Sequence, residues 1–388
     1  MRTLVFLSTA TGFGNTAECG GGEYFASEFL QELHRRGWQI TLCCPSNSPL
    51  LGDITLRSAL RDVSIVDISA KISTPMVFFF NLAKWLQRIP KFGKCILYGN
   101  GFESLKWISP AAQFFSLPAF CHLHESCYAS YASWRARILS RSVSDIFAIS
   151  NTVRDRFIEG AKFPAESIHL TPNGVHIEAQ VEKRESDKCA LRQEFDLPPH
   201  SRIISMAART NPLKGHAVFI NAAKRVHATH PSTRFLIVGL QDTTAEEQSL
   251  YTAMMQMIAQ EDLSEIVRTC PMLPLEQTRR IMRCSDIFVV PSTSEGFGRT
   301  AIEAMAERTP LVASAVGGLL DIVADGTTGL LFPPCDDHAL ASKITAILEK
   351  PILGDRIARA GHDAAIARYS IRSMTDRIEV ILRKAIEN

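Results

Sequence analysis

Short apolar runs rich in β-branched and aromatic residues alternate with longer segments of helical periodicity along almost the whole chain. The runs have the length of buried strands, and in the first half they are Leu4–Ser8, Gln39–Cys44, Ser64–Ile68, Cys95–Tyr98, Ala119–Leu123 and Ile146–Ile149. Between the first two runs, residues Gly22–Gly37 repeat apolar side chains at helical spacing and end at a glycine. Strands separated by crossover helices predict a parallel sheet with helices on both faces.

The alternation pauses once and then resumes, which predicts two domains. Residues 182–202 are charged, contain a Pro-Pro pair and have little β character, and strand candidates return at Ile203–Met206, Phe235–Val238 and Ile287–Val290. We therefore predict an α/β protein with two Rossmann-like, doubly wound domains. Their predicted ranges are 1–182 for the N-terminal domain, 183–200 for a linker, 201–370 for the C-terminal domain and 371–388 for an amphipathic helix that packs back on the N-terminal domain.

Composition and charge exclude several classes of protein. The 388 residues are 46% hydrophobic and 21% charged, which is typical of a globular protein, and the formal charge of +2 disfavours a general nucleic-acid binder. No apolar run approaches the roughly 20 residues that cross a bilayer. The N-terminal run ends in a glycine-rich turn and is interpreted as a strand rather than a signal peptide. Ten cysteines without a CxxC pair indicate reduced thiols and a cytoplasmic protein.

The segment richest in candidate functional residues is PSTSEGFGRTAIEAMA at residues 291–306. A loop containing Gly296 and Gly298 leads into a helix predicted to begin near Arg299 or Thr300. The free amides of a first helical turn and the positive end of the helix dipole favour an anion such as a diphosphate.

Two carboxylates flank this predicted anion site. Glu295 lies in the loop and Glu303 near the end of the first helical turn, so both can accept hydrogen bonds from hydroxyls of one ligand. An ordinary strand, loop and helix with surface glutamates is the alternative, since a short glycine motif is a weak signal.

The whole string closely resembles the E-x7-E segment of retaining glycosyltransferases of family 4, also called glycosyl transferases group 1. These enzymes have the GT-B fold, in which two Rossmann-like domains face one another across a cleft and a C-terminal helix crosses back. The segment AARTNPLKG at residues 207–215 resembles the family's Arg-x4-Lys segment, and residues 171–175, 235–239 and 316–332 resemble further segments in the family's order. Taken alone, Arg209 and Lys214 are also compatible with a solvated loop.

This resemblance implies a retaining hexosyltransferase. The donor would be a nucleoside-diphosphate sugar, UDP- or GDP-linked, and the acceptor a hydroxyl of a glycan, a polysaccharide precursor or a lipid-linked glycan. It implies no metal and no cofactor besides the donor substrate. The catalytic residues implied are His124, Arg209, Lys214 and Glu295; the donor-binding residues implied are Gly21, Gly22, Gly296, Phe297, Gly298, Arg299, Thr300, Ala301 and Glu303.

The family also implies a role for each group. Arg209 and Lys214 would grip the diphosphate, since a guanidinium fork and a point charge both suit phosphate oxygens. Glu303 would bind the ribose hydroxyls, Glu295 hydroxyls of the transferred sugar, and His124 the sugar near the reacting carbon. The chain departs from the family at Ala208, where glycine is usual, and at Asp321, where glutamate is usual.

The glycine-rich loop Thr9–Glu23 opens the first predicted helix. It lacks the third glycine of a dinucleotide fingerprint, and no GK[ST] follows, so neither a dehydrogenase nor a P-loop is predicted. Gly21 and Gly22 match the N-terminal glycine pair of family 4, and a flexible turn without a ligand is the alternative.

The segment CHLHESC at residues 121–127 carries both cysteine and histidine. On a strand His122 and His124 point away from Cys121, which disfavours a zinc site. His124 with Glu125 instead resembles the family's His-Asp/Glu pair at the end of a strand, and a structural histidine is the alternative.

Residues 71–141 hold nine Lys or Arg against two Glu. Such a basic region fits peripheral contact with the cytoplasmic face of a membrane or an acidic acceptor, and a solvated face with its apolar side on the core is the alternative. For the whole chain, the other functions considered are a non-catalytic or regulatory sugar-nucleotide-binding protein and a GT-B epimerase. No nucleic-acid partner is expected.

Overall fold

In the computed structural model, each half of the predicted alternation forms its own parallel sheet. The structure describes residues 2–8, 21–45, 48, 50, 64–67, 94–124, 134–182, 185–240 and 244–387. The chain divides into unit 1, Met1–Val175 with Ser370–Asn388, and unit 2, His176–Tyr369.

The sheet of unit 1 is parallel in the order β3-β2-β1-β4-β5-β6-β7. Its strands are β1 (Arg2–Ser8), β2 (Gln39–Cys44), β3 (Ser64–Asp67), β4 (Lys94–Asn100), β5 (Ala119–Leu123), β6 (Asp145–Ala148) and β7 (Ile168–Leu170). In the register of the central strand, Leu4 lies between Ile40 and Ile96, and all three side chains are buried. Continuous apolar runs are what a sheet covered on both faces requires.

Helices connect these strands: α1 (Gly21–Arg35), α2 (Leu105–Phe115), α3 (Trp134–Ser140) and α4 (Asn151–Ala161). The apolar face of α1 buries Phe25, Phe29 and Leu33 against the sheet. The helix is followed by Gly37, whose φ of +83° is readily adopted only by glycine. The periodicity of the sequence therefore predicted this helix and its end correctly.

Unit 2 repeats the architecture in a parallel sheet of order β10-β9-β8-β11-β12-β13. Its strands are β8 (Arg202–Ala207), β9 (Thr233–Leu240), β10 (Val267–Pro271), β11 (Ile287–Val290), β12 (Leu311–Ser314) and β13 (Leu330–Phe332). Its helices are α5 (Glu185–Glu194), α6 (His216–Thr229), α7 (Ala245–Gln260), α8 (Leu275–Cys284), α9 (Arg299–Ala306), α10 (Leu319–Ile322), α11 (Asp337–Glu349) and α12 (Pro351–Tyr369).

The last helix, α13 (Ile371–Glu387), is part of unit 1. Its Met374, Ile378 and Leu382 are fully buried in the same core as α1. Glu379 accepts hydrogen bonds from Trp38 Nε1 at 2.8 Å and Arg36 Nη1 at 3.0 Å. Burial alone would raise the pKa of Glu379, but these bonds and one from Arg383 lower it, so the buried carboxylate stays charged.

The structure differs from the predicted linker and from the predicted end of the first domain. The range 183–200 contains helix α5, whose Leu191 is fully buried against Leu197 and Ile203, and residues 183–184 lie outside the described part. The first segment of unit 1 ends at Val175, not at residue 182. A short helix with one buried apolar residue has the composition of a linker, because most of its surface is solvated.

Candidate functional site

In unit 2 the predicted site residues follow two neighbouring strands. Arg209 and Lys214 come after β8, Glu295 comes after β11, and these strands pair in the centre of the sheet. Ligands bind outside the carboxyl ends of parallel strands at such positions. The amide of Thr293 donates to Leu213 O at 2.8 Å, so the two loops are joined directly.

The loop after β8 is fixed by its own side chains and backbone. Asn211 accepts a hydrogen bond from Leu213 N at 2.9 Å and thereby caps a 3-10 turn at Pro212–Lys214. Gly215 has a φ of +69°, and a Cβ there would lie 1.9 Å from Pro291 O. Glycine is therefore needed for the close approach that places Lys214 beside the second loop.

Lys214 and Glu295 form an ion pair in this site. Lys214 Nζ lies 2.8 Å from Glu295 Oε2, and Ser292 Oγ donates to the same oxygen at 3.0 Å. The Glu295 side chain is 14% exposed and that of Lys214 30%. The pair is therefore partly open to solvent and accessible to a ligand.

Helix α9 begins at Arg299, as predicted, directly after Gly298. Gly298 has a φ of +103°, and a Cβ there would lie 2.6 Å from Leu319 Cδ2. Phe297 and Ala301 are buried. Gly296 and Thr300 are half-buried. The first amides of a helix lack intrahelical acceptors and carry the positive end of its dipole, so this turn can receive an anion.

Arg299 and Glu303 form another ion pair. Arg299 Nε donates to Glu303 Oε1 at 2.7 Å, and Glu303 is only 5% exposed. The resemblance named both residues as donor-binding but did not predict that they pair. Their spacing of four residues on one helix is the signal that would have found it.

A glycine pair supports the loop that carries Glu295. Gly317 has a φ of +49°, and its Cβ would lie 1.9 Å from Glu295 O, while Gly318 N donates to that oxygen at 3.0 Å. The nearby departure from the family, Asp321, uses its backbone carbonyl to accept from Tyr369 Oη at 3.1 Å.

The other departure, Ala208, packs against a glycine. Ala208 N donates to Val238 O at 2.9 Å, and a Cβ on Gly239 would lie 2.9 Å from Ala208 O. The residue whose backbone conformation favours glycine here is Gly239, with a φ of +97°. Arg209 follows as an exposed side chain on the loop that also carries Lys214.

In unit 1 His124 follows β5, and two asparagines and two aromatic rings, all uncharged, contact its side chain. Its Nε2 is 2.8 Å from Asn100 Oδ1, and its Nδ1 is 3.3 Å from Asn173 Nδ2. The ring stacks on His122 at a centroid distance of 4.5 Å and lies 4.7 Å from Phe25. Burial lowers the pKa of His124 to about 3, so the imidazole is neutral at physiological pH. Sequence reasoning missed both asparagines.

Gly21 and Gly22 form the first turn of α1 beside this histidine. A Cβ on Gly22 would lie 3.8 Å from the His124 ring, which is an ordinary van der Waals distance. Packing within the described residues therefore does not require glycine at position 22. The preceding part of the glycine-rich loop, residues 9–20, lies outside the described residues.

The orientation expected for CHLHESC holds for its described part. The rings of His122 and His124 stack on one side of the strand, whereas Cys121 Sγ lies 3.6 Å from Gly101 O. Among the described residues, no group of three or more His, Cys, Asp or Glu is placed to hold a metal ion. Residues 125–130 lie outside this part of the chain.

The basic region 71–141 is described only in part. Lys71, Lys84, Arg88 and Lys91 lie outside the described residues. Arg137 and Arg141 are exposed. In the portion of the chain that the structure describes, no helix combines the length and hydrophobicity needed to cross a bilayer.

Both units match models of glycosyltransferase families. The family model described as Glycosyltransferase Family 4 matches residues 19–179, and that described as Glycosyl transferases group 1 matches residues 187–364. Together the two models span most of the chain.

Individual relatives agree with these models. D-inositol 3-phosphate glycosyltransferase of Segniliparus rotundus is 31% identical over 57% of this chain and 48% of its own length. The chain thus spans about half the length of such curated relatives. Alpha-D-kanosaminyltransferase of Streptomyces kanamyceticus is 24% identical over 69% of this chain and 71% of its own length.

A solved structure shows the same fold. Anabaena Alr3699/HepE, crystallised with UDP and glucose, superposes with a TM-score of 0.83, covering 99% of this chain and 100% of that one at 22% identity. The two parallel sheets and their flanking helices are those of this fold class. The chain therefore belongs to the group 1 glycosyltransferases, family 4, and has the GT-B fold.

Proposed function

We propose that this chain is a retaining glycosyltransferase that moves a hexose-type sugar from a nucleoside-diphosphate sugar to a hydroxyl acceptor. The observation that carries the proposal is the arrangement in unit 2: Lys214 paired with Glu295, and Arg299 paired with Glu303 in the first turn of α9. Cations, carboxylates and a helix N-terminus at one sheet edge suit a ligand that combines a diphosphate with sugar hydroxyls.

In this proposal each ion pair holds its carboxylate ready for the donor. Lys214 and Arg299 each occupy one oxygen of their partner, and among the described residues no side chain donates to the other oxygen. Glu295 would accept from hydroxyls of the transferred sugar and Glu303 from the ribose. Lys214, with Arg209, would then turn toward the diphosphate.

The proposed reaction breaks the bond between the anomeric carbon and the diphosphate oxygen. The electron pair leaves with the nucleoside diphosphate, the acceptor oxygen bonds the same face of the anomeric carbon, and the hydroxyl proton passes to the leaving phosphate. Arg209, Lys214 and the amides of residues 299–301 would stabilise the charge that develops on the diphosphate. Such electrostatic stabilisation is usually the largest contribution to catalysis.

Similar proteins support the donor class. Alr3699/HepE was crystallised with UDP and with UDP-glucose. The relatives named above are a D-inositol 3-phosphate glycosyltransferase and an alpha-D-kanosaminyltransferase. We propose a UDP- or GDP-linked hexose as donor and a hydroxyl of a glycan, a polysaccharide precursor or a lipid-linked glycan as acceptor.

Ligand binding and turnover test this proposal together. Thermal unfolding is followed with UDP, GDP, ADP and their glucose conjugates, with and without EDTA. A ligand at 100 times its dissociation constant adds about 2.7 kcal/mol to the free energy of unfolding, which raises the melting temperature by several degrees. We expect a shift with one nucleotide family that EDTA does not change, and nucleoside diphosphate release that depends on an acceptor. Folded protein that responds to none of these ligands would contradict the donor site.

We also propose peripheral contact with an anionic membrane through the described part of the basic region. Helices α2 and α3 pack side by side and expose Phe114 to 74% and Ile138 to 52% next to the exposed Arg137. Exposed aromatic and aliphatic groups beside cations suit an acidic lipid surface.

Cosedimentation with vesicles tests the membrane contact. We expect binding to phosphatidylcholine vesicles that contain phosphatidylglycerol and little binding to phosphatidylcholine alone. The double variant Phe114→Ser, Arg137→Gln should bind less, and Lys384→Gln, an exposed lysine on α13, serves as the charge control. Equal sedimentation with both vesicle types would rule out the contact.

A further inference from the structure

Asn100, at the end of β4, contacts three other elements of unit 1. Its Nδ2 lies 3.3 Å from Gly22 O at the start of α1 and 3.4 Å from Ser8 Oγ at the end of β1. Its Oδ1 lies 2.8 Å from Nε2 of His124. A backbone carbonyl only accepts, so the amide nitrogen of Asn100 must face Gly22 and its oxygen must face the histidine. Nε2 of His124 must therefore carry a hydrogen to donate to that oxygen.

Asn173, in the loop after β7, contacts the other ring nitrogen. Its Nδ2 lies 3.3 Å from His124 Nδ1, and in a neutral ring with hydrogen on Nε2 this nitrogen accepts. The described groups packed on the ring are Phe25 and His122, and His122 in turn bonds Tyr98 Oη at 2.8 Å. Burial lowers the pKa of His122 as well and raises that of Tyr98, so these neighbours are uncharged.

We infer that Asn100 and Asn173 are positioning residues that hold the ring of His124 in one orientation and one tautomer, with its hydrogen on Nε2. The inference rests on the proposed function, in which His124 contacts the transferred sugar. It goes further, because a ring whose two nitrogens are engaged by amides neither gives nor takes a proton during turnover. His124 then acts as a fixed neutral surface, and the acceptor proton goes to the leaving phosphate.

The place of these amides distinguishes positioning from ordinary packing. The carboxyl ends of β1, β4 and β5 and the first turn of α1 meet at the sheet edge where ligands of such folds bind. Asn100 and Asn173 are buried, and burying a polar amide atom without a partner is costly. Oδ1 of Asn173 has no partner among the described residues, so this amide is kept at a cost that an apolar side chain would not have. A pair of amides that matches both ring nitrogens is the arrangement that fixes a tautomer.

Ring-nitrogen NMR tests the inference on the full chain without any ligand. The histidines are labelled with 15N in the ring, two-bond proton–nitrogen correlations are recorded, and the His124 signals are assigned by their loss in His124→Gln. We expect one protonated nitrogen, Nε2, and one unprotonated nitrogen, Nδ1, unchanged from about pH 5 to about pH 8.

Two variants and a control sharpen the test. Asn173→Asp places a carboxylate against Nδ1, so the ring should take up a second proton near neutral pH, and kcat should gain a pH-dependent limb. Asn100→Leu removes the acceptor of Nε2 and should give a mixture of tautomers. Gln113→Glu introduces a carboxylate on the exposed side of α2, where Gln113 bonds Ser142 Oγ, and should leave the His124 signals unchanged.

Each result is decisive for the positioning role. Hydrogen on Nδ1 in the wild-type protein would overturn the inference, and so would unchanged His124 signals in Asn173→Asp while the remaining histidine signals show a native fold. Absence of transfer in every protein, wild type included, would refute the proposed function instead, because the ring spectrum of the free protein still reports the tautomer.

Discussion

The two groups of predicted site residues differ in how the fold holds them. In unit 2 the side chains are charged and hold one another in place, since Lys214 pairs with Glu295 and Arg299 with Glu303. In unit 1 His124 is neutral and held by the amides of Asn100 and Asn173. Under the proposed function, a charged ligand would replace partners in the first group, whereas a neutral sugar would contact the second without disturbing any charge. The predictions below test this contrast.

The largest expected effect is on turnover in the charged group. Lys214→Ala removes the cation that we propose stabilises the leaving diphosphate, and loss of one such group typically lowers kcat by about 100- to 1,000-fold. Steady-state release of nucleoside diphosphate measures it. Lys224→Ala removes an exposed lysine of α6 that pairs with Glu261 and is the matched control.

Two results would contradict this prediction. Turnover near the wild-type value in folded Lys214→Ala would remove Lys214 from the proposed machinery. A comparable loss in Lys224→Ala would show that general charge, and not the pair with Glu295, determines the rate.

The second prediction compares glycines of the two groups. Gly215→Ala in unit 2 should lower the free energy of unfolding by about 3 kcal/mol, because it combines a positive φ with a Cβ only 1.9 Å from Pro291 O. Gly22→Ala in unit 1 meets no described atom closer than 3.8 Å and should change stability by less than about 1 kcal/mol. Urea denaturation measures both.

Activity measurements then distinguish a glycine needed for ligand approach from one needed for packing. If Gly22→Ala is stable yet loses donor turnover, the glycine serves the approach of a ligand, as the family resemblance implies. If it is stable and fully active, Gly22 is not a donor-binding residue. Gly215→Ala with wild-type stability would contradict the steric argument for unit 2.

The third prediction uses the neutrality of His124. Its folded pKa of about 3 lies below the unfolded value near 6.5, so the folded state binds fewer protons. The stability it contributes is present above about pH 6.5 and is lost as the pH falls toward 3. Between about pH 7.5 and about pH 5, the free energy of unfolding should fall by about 2 kcal/mol more in the wild type than in His124→Gln.

Histidines elsewhere provide the comparison for that measurement. His122 also has a lowered pKa through burial and His216 one of about 4, so the wild type and His124→Gln share part of the acid response. His338→Gln changes an exposed histidine of unit 2 and should follow the wild type. An identical pH response in His124→Gln and the wild type would mean that folding does not lower the pKa of His124.

Local patterns in the sequence predicted many of the strands and helices and the loop–helix segment that carries Glu295, Arg299 and Glu303 in unit 2. The strands Ala119–Leu123 and Ile287–Val290 have the predicted bounds because buried parallel strands are continuous apolar runs. The helix after Gly298 was predictable from one short segment. By contrast, strands as short as Ile168–Leu170 and Leu330–Phe332 are too brief to show periodicity.

Long-range partners were not predictable in this way. Asn100 and Asn173 lie 24 and 49 residues from His124, and nothing in their local sequence marks an amide that will meet an imidazole. Helix α5 was missed because it exposes most of its surface, so its composition resembles a linker. In both cases the contacting residues are distant in sequence and are brought together only by the tertiary fold, so a short segment of sequence does not reveal them.

The smallest predicted effect concerns Ser292, which donates to the same Glu295 oxygen as Lys214. Ser292→Ala removes one of two donors to that oxygen, and a hydrogen bond to a charged group contributes about 1.5–3 kcal/mol at most. Because Lys214 remains, we expect kcat to fall by about 10-fold or less, with KM for the donor nearly unchanged. Ser294→Ala, two positions along the same loop, is the control.

The double variant Lys214→Ala, Ser292→Ala then measures how the two donors depend on each other. If Glu295 is held by both, removing Ser292 should cost more in the Lys214→Ala background than in the wild type, because the carboxylate then has neither donor to orient it. Additive effects would show that Lys214 acts on the diphosphate alone. In that case Glu295 would be oriented by Ser292 as His124 is by its asparagines, that is, by a partner that takes no part in the reaction.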